Sequence, residues 1–583
     1  MKFRLIIVYI LFFSVIHNGF SQVSKPMSEK IKTIAAKYNK SLLGENTYIF
    51  DPSMDMEEIQ LLIDSIHSGL TFPAYEFSKD RFALLFKPGT YKLDVKVGYY
   101  THVIGLGNSP EDVTIIGAVR SNSSDGNHVL CNFWRSAENL TIIPTVDSTN
   151  TWAVSQAAPL RRIHVKGNLK LFEGASSGGF MADCKIEGSV ISGSQQQWFT
   201  RNSVFNKWDG GVWNMVYLGV ENAPMEAWPE TPVTTIKETP EIREKPYWVY
   251  IKGKYSLKIP TLKKNSVGID WENKNNKEKT VPINDFYIAK SDIDNATSIN
   301  NALKKGKHIL FTPGIYSLSE SLNVTRPGTV IMGIGMATLV PKNGNKVIDV
   351  EDVEDVTIAS LLIDAATVHS ETLMQVGKSD SKKNQVSKPT FLYDVFFRVG
   401  GVHEGSASRC LVINSNNVIV DHAWLWRADH GNGVGWDKNK CANGLIVNGN
   451  DVTIYGLFNE HFQEYQTIWN GENGRVYFYQ CELPYDPPTN EAWEHDGISG
   501  YASYKVGSHV KNHQAWGLGI YGFFDVPLLV DQVIETPEAV EGHFYHKVLI
   551  MLGWNKKTDT IIKSIINGKG GVLDTNNRKQ MME

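Results

Sequence analysis

Cysteine is scarce in this chain: there are five in 583 residues, Cys131, Cys184, Cys410, Cys441 and Cys481. The number is odd and no Cys-x-x-Cys pair occurs. Neither a disulfide framework nor a zinc site is encoded, and buried free thiols are expected. Charge of one sign is missing too. The formal net charge is −4 and no basic stripe is present, which argues against a nucleic-acid partner. No apolar run of membrane-spanning length occurs. The longest, Leu5 to Ile16, is too short for a span, so no stable membrane insertion is expected. That run follows Lys2 and Arg4 and leads into His17-Asn18-Gly19-Phe20-Ser21-Gln22, the order of a secretory signal peptide. Residues 1–22 are read as that peptide, and the protein as secreted or periplasmic.

Glycine and aromatic rings are abundant. The 49 glycines, many beside asparagine, point to a chain of strands and turns, and 42% hydrophobic residues allow a large core. The 15 Trp and 23 Tyr fill such a core or stack on sugars, whose pyranose faces are flat and apolar.

Two stretches repeat each other. Phe86-Lys87-Pro88-Gly89-Thr90-Tyr91 precedes Ile104-Gly105-Leu106-Gly107, and Phe311-Thr312-Pro313-Gly314-Ile315-Tyr316 precedes Met332-Gly333-Ile334-Gly335. Helix-like stretches, Met56 to His67 and Ala296 to Lys305, come before each. A stack of coils leaves an open end that needs covering, so two such modules imply two capped stacks. Between them, residues 224–285 carry seven prolines and a charged run, the mark of a connecting segment and not of a coil. Its apolar residues Tyr247, Trp248, Tyr250, Leu257 and Ile259 suggest that it packs down on the lobes. The expected division is 23–223, 224–285 and 286–583.

Coil periodicity is clearest in the second half. Leu411 to Val420 resembles Leu445 to Ile454, one coil plus an inserted loop. Short strands with Asn at the turns describe a parallel β-helix. Asn414, Asn417, Asn448 and Asn450 are then structural, their side chains satisfying turn backbones.

Adjacent coils stack at about 4.8 Å, so residues one coil apart stand side by side. Glu460 and Glu482 have that spacing, each at the end of a strand-like run among apolar residues. Two close, half-buried carboxylates cannot both ionise cheaply, and one should hold a proton near neutral pH. A glycosidase needs such an acid for its leaving-group oxygen. The surroundings suit a sugar: Trp424 and Trp426 on one strand face, Asp429 and His430 in a glycine-bounded loop, Trp469 beside amides, and Tyr485. In the first half, Gln195 and Gln197 share a strand face, either as an internal glutamine ladder or as site residues.

Taken together, the two Pro-Gly-x-Tyr modules, Gln195-Gln196-Gln197-Trp198, Trp426-Arg427-Ala428-Asp429-His430-Gly431, Glu460-His461-Phe462-Gln463-Glu464-Tyr465 and Trp469-Asn470-Gly471-Glu472-Asn473-Gly474 resemble glycoside hydrolase family 55 over residues 40 to 560. The resemblance implies an all-β fold: two tandem right-handed parallel β-helices, pectate-lyase-like, packed side by side with short capping helices and a cleft between them. It implies exo-acting, inverting hydrolysis of β-1,3-glucan by a monomer without cofactor or metal. By the same resemblance Glu482 is the general acid, Glu460 a neighbouring carboxylate that tunes it, and Gln195 and Gln197 the amides that hold the water. Trp426, Asp429 and Tyr485 are substrate contacts.

Two other readings stay open from sequence. A β-helix polysaccharide lyase or uronate epimerase would need a cation against the uronate, for which Asp429 and Arg427 are available. A non-catalytic glycan-binding β-helix would keep its function without Glu482.

Overall fold

The computed structural model describes residues 24–39, 41–273, 277–379, 388–553 and 559–583. The expected signal peptide, 1–22, lies outside them. The chain is mostly strand, and the strands form long parallel ladders. In the first half the ladder runs Thr47–Phe50, Phe82–Phe86, Thr101–Gly105, Ser136–Pro144, Leu160–Val165, Phe180–Ala182, Gln197–Arg201, Asn214–Leu218. In the second half it runs from Phe286–Ala289 through Val418–Arg427, Thr453–Glu460 and Gly474–Glu482 to Phe544–Met551. A second ladder of eight strands, Leu322–Val324 to Ile534–Glu535, forms another wall of the same stack. Each rung pairs with the equivalent strand of the next coil: Leu411 faces Leu445, and Tyr455 faces Tyr477.

The first rungs are covered by helices that the sequence specifies locally. Helix Met56–Ser68 is capped by Asp55, whose carboxylate accepts from the Glu57 and Glu58 amides, and it buries Ile59, Leu62, Ile63 and Ile66. Helix Ala296–Lys304 has an Asn295–Ser298 capping box. Asparagines stack along the turns. Asn448 Nδ2 donates to Asn414 Oδ1 and Asn470 Nδ2 to Asn448 Oδ1, both at 2.8 Å. All five cysteines are free thiols, and four are buried.

The proline-rich segment departs from its expected role in one respect. Val233–Ile236 pairs in parallel with Asn214–Leu218 and adds a rung to the first ladder, because an alternating Val-Thr-Thr-Ile run can extend the open edge despite nearby prolines. The rest forms small antiparallel sheets, and Tyr247, Trp248, Leu257 and Ile259 are buried.

A feature that periodicity does not reveal recurs in the ladder that runs from Phe286–Ala289 to Phe544–Met551. Ser360, Asp394, His422, Gly456, Phe478, Gly517 and His546 are all left-handed, and each falls where the pairing register skips a residue. This column of left-handed residues interrupts the pairing at the same height on every strand and leaves the register unchanged on either side. It also turns Asp394 and His422 toward the first stack.

The two stacks meet across a shared core. Phe180 stacks on His422 with centroids 4.4 Å apart, and Phe199 lies 5.8 Å from Phe478. Two glycines of that column allow this approach. A Cβ on Gly517 would stand 2.3 Å from Val216 Cγ2, and one on Gly456 would stand 3.0 Å from Phe180. Buried charges cross the same interface. Arg161 donates to Asp394 (2.8 and 2.9 Å) and to Asp421 (2.6 Å), while Arg201 pairs with Asp421 (2.9 Å) and forks onto Glu244 (2.6 and 2.7 Å). Lys245, from the connecting segment, bridges Glu138 of the first stack and Asp394 of the second at 2.6 and 3.0 Å.

Candidate active site

Both stacks contribute walls to a cavity of about 180 Å³. Strand Val418–Arg427 brings Trp424 and Trp426, whose rings stack 5.2 Å apart, and the loop that follows brings Asp429 and His430. Strands Thr453–Glu460 and Gly474–Glu482 end at the cavity, with Glu460 and Glu482 on neighbouring rungs. Tyr485 and His461 complete this wall, with rings 4.4 Å apart. The first stack supplies Cys131, Phe133, Gln156, Ser177 and Gln196.

Glu460 is 2% exposed. Its Oε2 accepts from Trp424 Nε1 at 2.7 Å and its Oε1 from Gln156 Nε2 at 3.1 Å. Glu482 is half-buried. Its Oε2 accepts from the Tyr485 hydroxyl, and its Oε1 has only a long contact, 3.5 Å, from Gln480 Nε2. Both carboxyls titrate above the usual carboxylate range. Burial is the main cause for each, and for Glu460 the charge of Glu482 adds to it. Burial and hydrogen bonding pull in different directions at Glu460. Each of its oxygens already faces an N–H donor, so a proton on either would confront one. Oε1 of Glu482 meets no such donor at close range. Glu482 Oε1 is thus the oxygen of the pair with room for a proton.

At the rim His430 lies between two carboxylates, Glu76 at 2.6 Å and Asp429 at 2.9 Å. Burial opposes its charge, but Glu76 and Asp429 raise its pKa well above normal; Asp429 is held below its usual range despite burial by the His430 charge. Glu76, Cys131 and His430 bring three potential metal-ligand atoms within 4.8 Å of one another. Both ring nitrogens of His430 are engaged by carboxylates in that cluster, Nε2 by Glu76 and Nδ1 by Asp429. Arg427, available in principle to a uronate, is buried and forks onto Asp486 at 2.9 and 2.8 Å.

Three expected site residues lie elsewhere. Gln195 and Gln197 are both fully buried and neither lines the cavity. Gln195 Nε2 donates to the Val154 and Leu171 carbonyls at 2.9 and 2.7 Å, and Gln197 Nε2 donates to the Ser177 carbonyl at 2.6 Å. Gln197 lies on the strand face that carries Phe199 and Arg201 toward the second stack. The residue of the triplet that reaches the cavity is Gln196, and the rungs before it carry Ser177 and Gln156 at the same height. Gln156 Nε2 also reaches Ser177 Oγ at 3.0 Å. Stepping back one coil from Gln196 would have found Ser177, and a second coil Gln156. Trp469, expected to contact substrate, is fully buried in the core of the second stack, 4.6 Å from His513. It belongs to the other wall of the coil, where its ring points inward.

A test separates the two glutamine columns. Gln195→Ala leaves two buried carbonyls without a donor, which costs about 1–3 kcal/mol in denaturant unfolding and leaves kcat of the folded protein unchanged. Gln156→Ala is expected to do the reverse.

A family model for the LAM55 pectate lyase-like domain matches residues 286–482. An exo-beta-1,3-glucanase of Streptomyces sp. (strain SirexAA-E / ActE) is 43% identical over 532 residues, 90% of this chain and 87% of that protein. The solved structure of sacteLam55A from Streptomyces sp. SirexAA-E has a TM-score of 0.89 to this chain at 41% identity, and covers 93% of this chain and 98% of that one. An ensemble refinement of a glutamate-to-alanine variant of sacteLam55A in complex with glucose gives the same values.

Proposed function

The chain belongs to glycoside hydrolase family 55, and from that premise we propose that it hydrolyses β-1,3-glucan, releasing glucose units from one chain end with inversion at the anomeric carbon. The observation that carries this reading is the carboxyl pair Glu460–Glu482 at the end of neighbouring rungs, one member bound on both oxygens and the other open to the cavity. The two ladders are, on this reading, two right-handed parallel β-helices side by side, the hand that parallel crossovers favour. The protein acts outside the cytoplasm, as a monomer, with no cofactor.

Glu482 acts as general acid and gives its proton to the glycosidic oxygen as the bond to the anomeric carbon breaks. Glu460 stays ionised, held by Trp424 and Gln156. Its charge keeps the Glu482 proton in place and stabilises the positive charge that develops on the sugar ring. Neighbouring-rung carboxyls are near the spacing of a retaining pair. Glu460, however, is buried with both oxygens occupied, and is poorly placed to form a covalent bond. A water molecule held by Gln156, Ser177 and Glu460 is the nucleophile; as its oxygen bonds to the anomeric carbon its proton passes to solvent through the open side of the cavity, and Glu482 is reprotonated from solvent for the next turnover. Trp424, Trp426 and Tyr485 give apolar faces to the sugar, and Asp429 and His430 meet its hydroxyls at the rim.

Two measurements test this. Purified protein on laminarin should release glucose, and proton NMR during the first turnovers should show the α anomer, later relaxing toward the β form. Initial release of the β anomer would sink the inverting mechanism, and absence of glucose the substrate assignment. Gln156→Ala should lower kcat by roughly 10²-fold or more, because the water loses the amide oxygen that accepts from it and Glu460 loses the N–H that holds it.

A further inference from the structure

The first stack holds a second cavity, of about 240 Å³. The two cavities share one chain segment: Cys131 and Phe133 line the catalytic one, Asn132 and Arg135 the other. No carboxylate lines this second cavity, whereas His67, Lys96, Arg120 and Arg135 all do. Two of these cations are compensated outside the lining. Arg120 forks onto Asp94 at 2.6 and 2.8 Å, and Lys96 pairs with Asp64 at 3.0 Å.

Arg135 is not compensated. It is 3% exposed. Nε donates to the Phe133 carbonyl at 3.2 Å, and Nη1 to the Val97 carbonyl and Ser121 Oγ at 3.0 and 3.1 Å. The guanidinium lies 4.8 Å over the Tyr99 ring. Among the described residues no carboxylate comes within 4.0 Å of it and Nη2 has no protein acceptor. A buried guanidinium without a counter-ion is costly, and burial brings its pKa down to about 10. Its field reaches His67: burial first, then the charge of Arg135, brings that imidazole down to about 4. Phe72 sets an aromatic ring against the same space.

We propose that this cavity is a binding site for one oxyanionic group, a carboxylate or a sulfate, whose charge completes Arg135. A guanidinium with a free N–H edge is suited to such a group, and the Phe72 ring is suited to a sugar that carries it. The proposal is independent of the hydrolase reading.

Isothermal titration of the full chain at fixed ionic strength tests it, with sulfate, glucuronate and glucose as probes. Saturable binding of sulfate or glucuronate is expected, weakened at least about tenfold in Arg135→Gln. Lys96→Met, a partly exposed rim change that should fold normally, is expected to weaken it severalfold. Glucuronate binding more tightly than sulfate, with the difference lost in Phe72→Ala, identifies a sugar-borne anion. Equal affinities identify a free oxyanion. Absence of saturable binding up to tens of millimolar overturns the proposal, as does glucose binding equally well, or affinity unchanged in both Arg135→Gln and Lys96→Met.

Discussion

Glu482→Gln is expected to lower kcat on laminarin by about 10³-fold while leaving substrate binding nearly intact, since a general acid contributes roughly 10²–10⁴ to a rate. The amide keeps the size of the side chain and can still accept from Tyr485, but it has no proton to give. An aryl glucoside whose phenol departs without protonation bypasses that need, so the loss there should be far smaller. Equal loss on both substrates would refute the general-acid role. The same variant should not be destabilised. The folded pKa of Glu482 is raised, so the folded state holds its proton where the unfolded chain has released it. Stability therefore falls as pH rises from the ordinary carboxylate range through the raised value. Glu482→Gln removes that fall, and its Tm at neutral pH should equal or exceed the parent's. The basic limb of the kcat–pH profile should likewise follow the Glu460–Glu482 pair, as one coupled titration.

Asp421→Ala should cost about 3–5 kcal/mol in denaturant unfolding, the usual penalty for removing one partner of a buried ion pair. Asp421 is fully buried and accepts from both Arg161 and Arg201, so its loss weakens two guanidinium contacts at once. The effect should hardly change with added salt, because the pairs are out of reach of mobile ions. Acid gives a second signature. Despite burial, the folded pKa values of Asp421, held by Arg201 and Arg161, and of Asp394, held by Arg161 and Lys245, are lowered. That of Glu138, held chiefly by Lys245, falls to about 2. The stability these groups supply is complete above their unfolded pKa values, near 4, and is lost as pH falls through the depressed folded ones. The parent should therefore lose stability on acidification below about pH 4, and Asp421→Ala should lose less of it over that range. A cost under about 1 kcal/mol would mean that the network is not what joins the stacks.

Much of this was legible in the sequence, and the rest was hidden for identifiable reasons. The rung offset linking Leu411 to Leu445 is the structure's own register. The same arithmetic put Glu460 beside Glu482, because a parallel ladder converts a sequence interval directly into neighbourhood. The face was harder. Alternation says that Gln195 and Gln197 point together, but the chain bends at Gln196, and only the three-dimensional coil brings Gln196 to the cavity. Trp469 failed for a related reason: a coil has several walls, and a short strand beside Asn-Gly carries no label for which one it joins. The left-handed column was invisible because Ser360, His422 and Phe478 are not residues that advertise such a backbone. The ion pairs between stacks were hidden because Arg161 and Asp421 lie far apart in the chain, with no period connecting them.

The catalytic cavity has one wall on each stack, so its width is a separation between two bodies and not the property of either. That separation is set at Gly456 and Gly517, where the absent methyl groups let the first stack close on the second. These glycines act as shims of zero thickness. A side chain inserted at either would be felt at the cavity as a wider jaw, with the acid and the water-holding amide drawn apart, even if every residue that touches the sugar were unchanged. Substrate fit in this protein is therefore written partly in positions that never meet substrate.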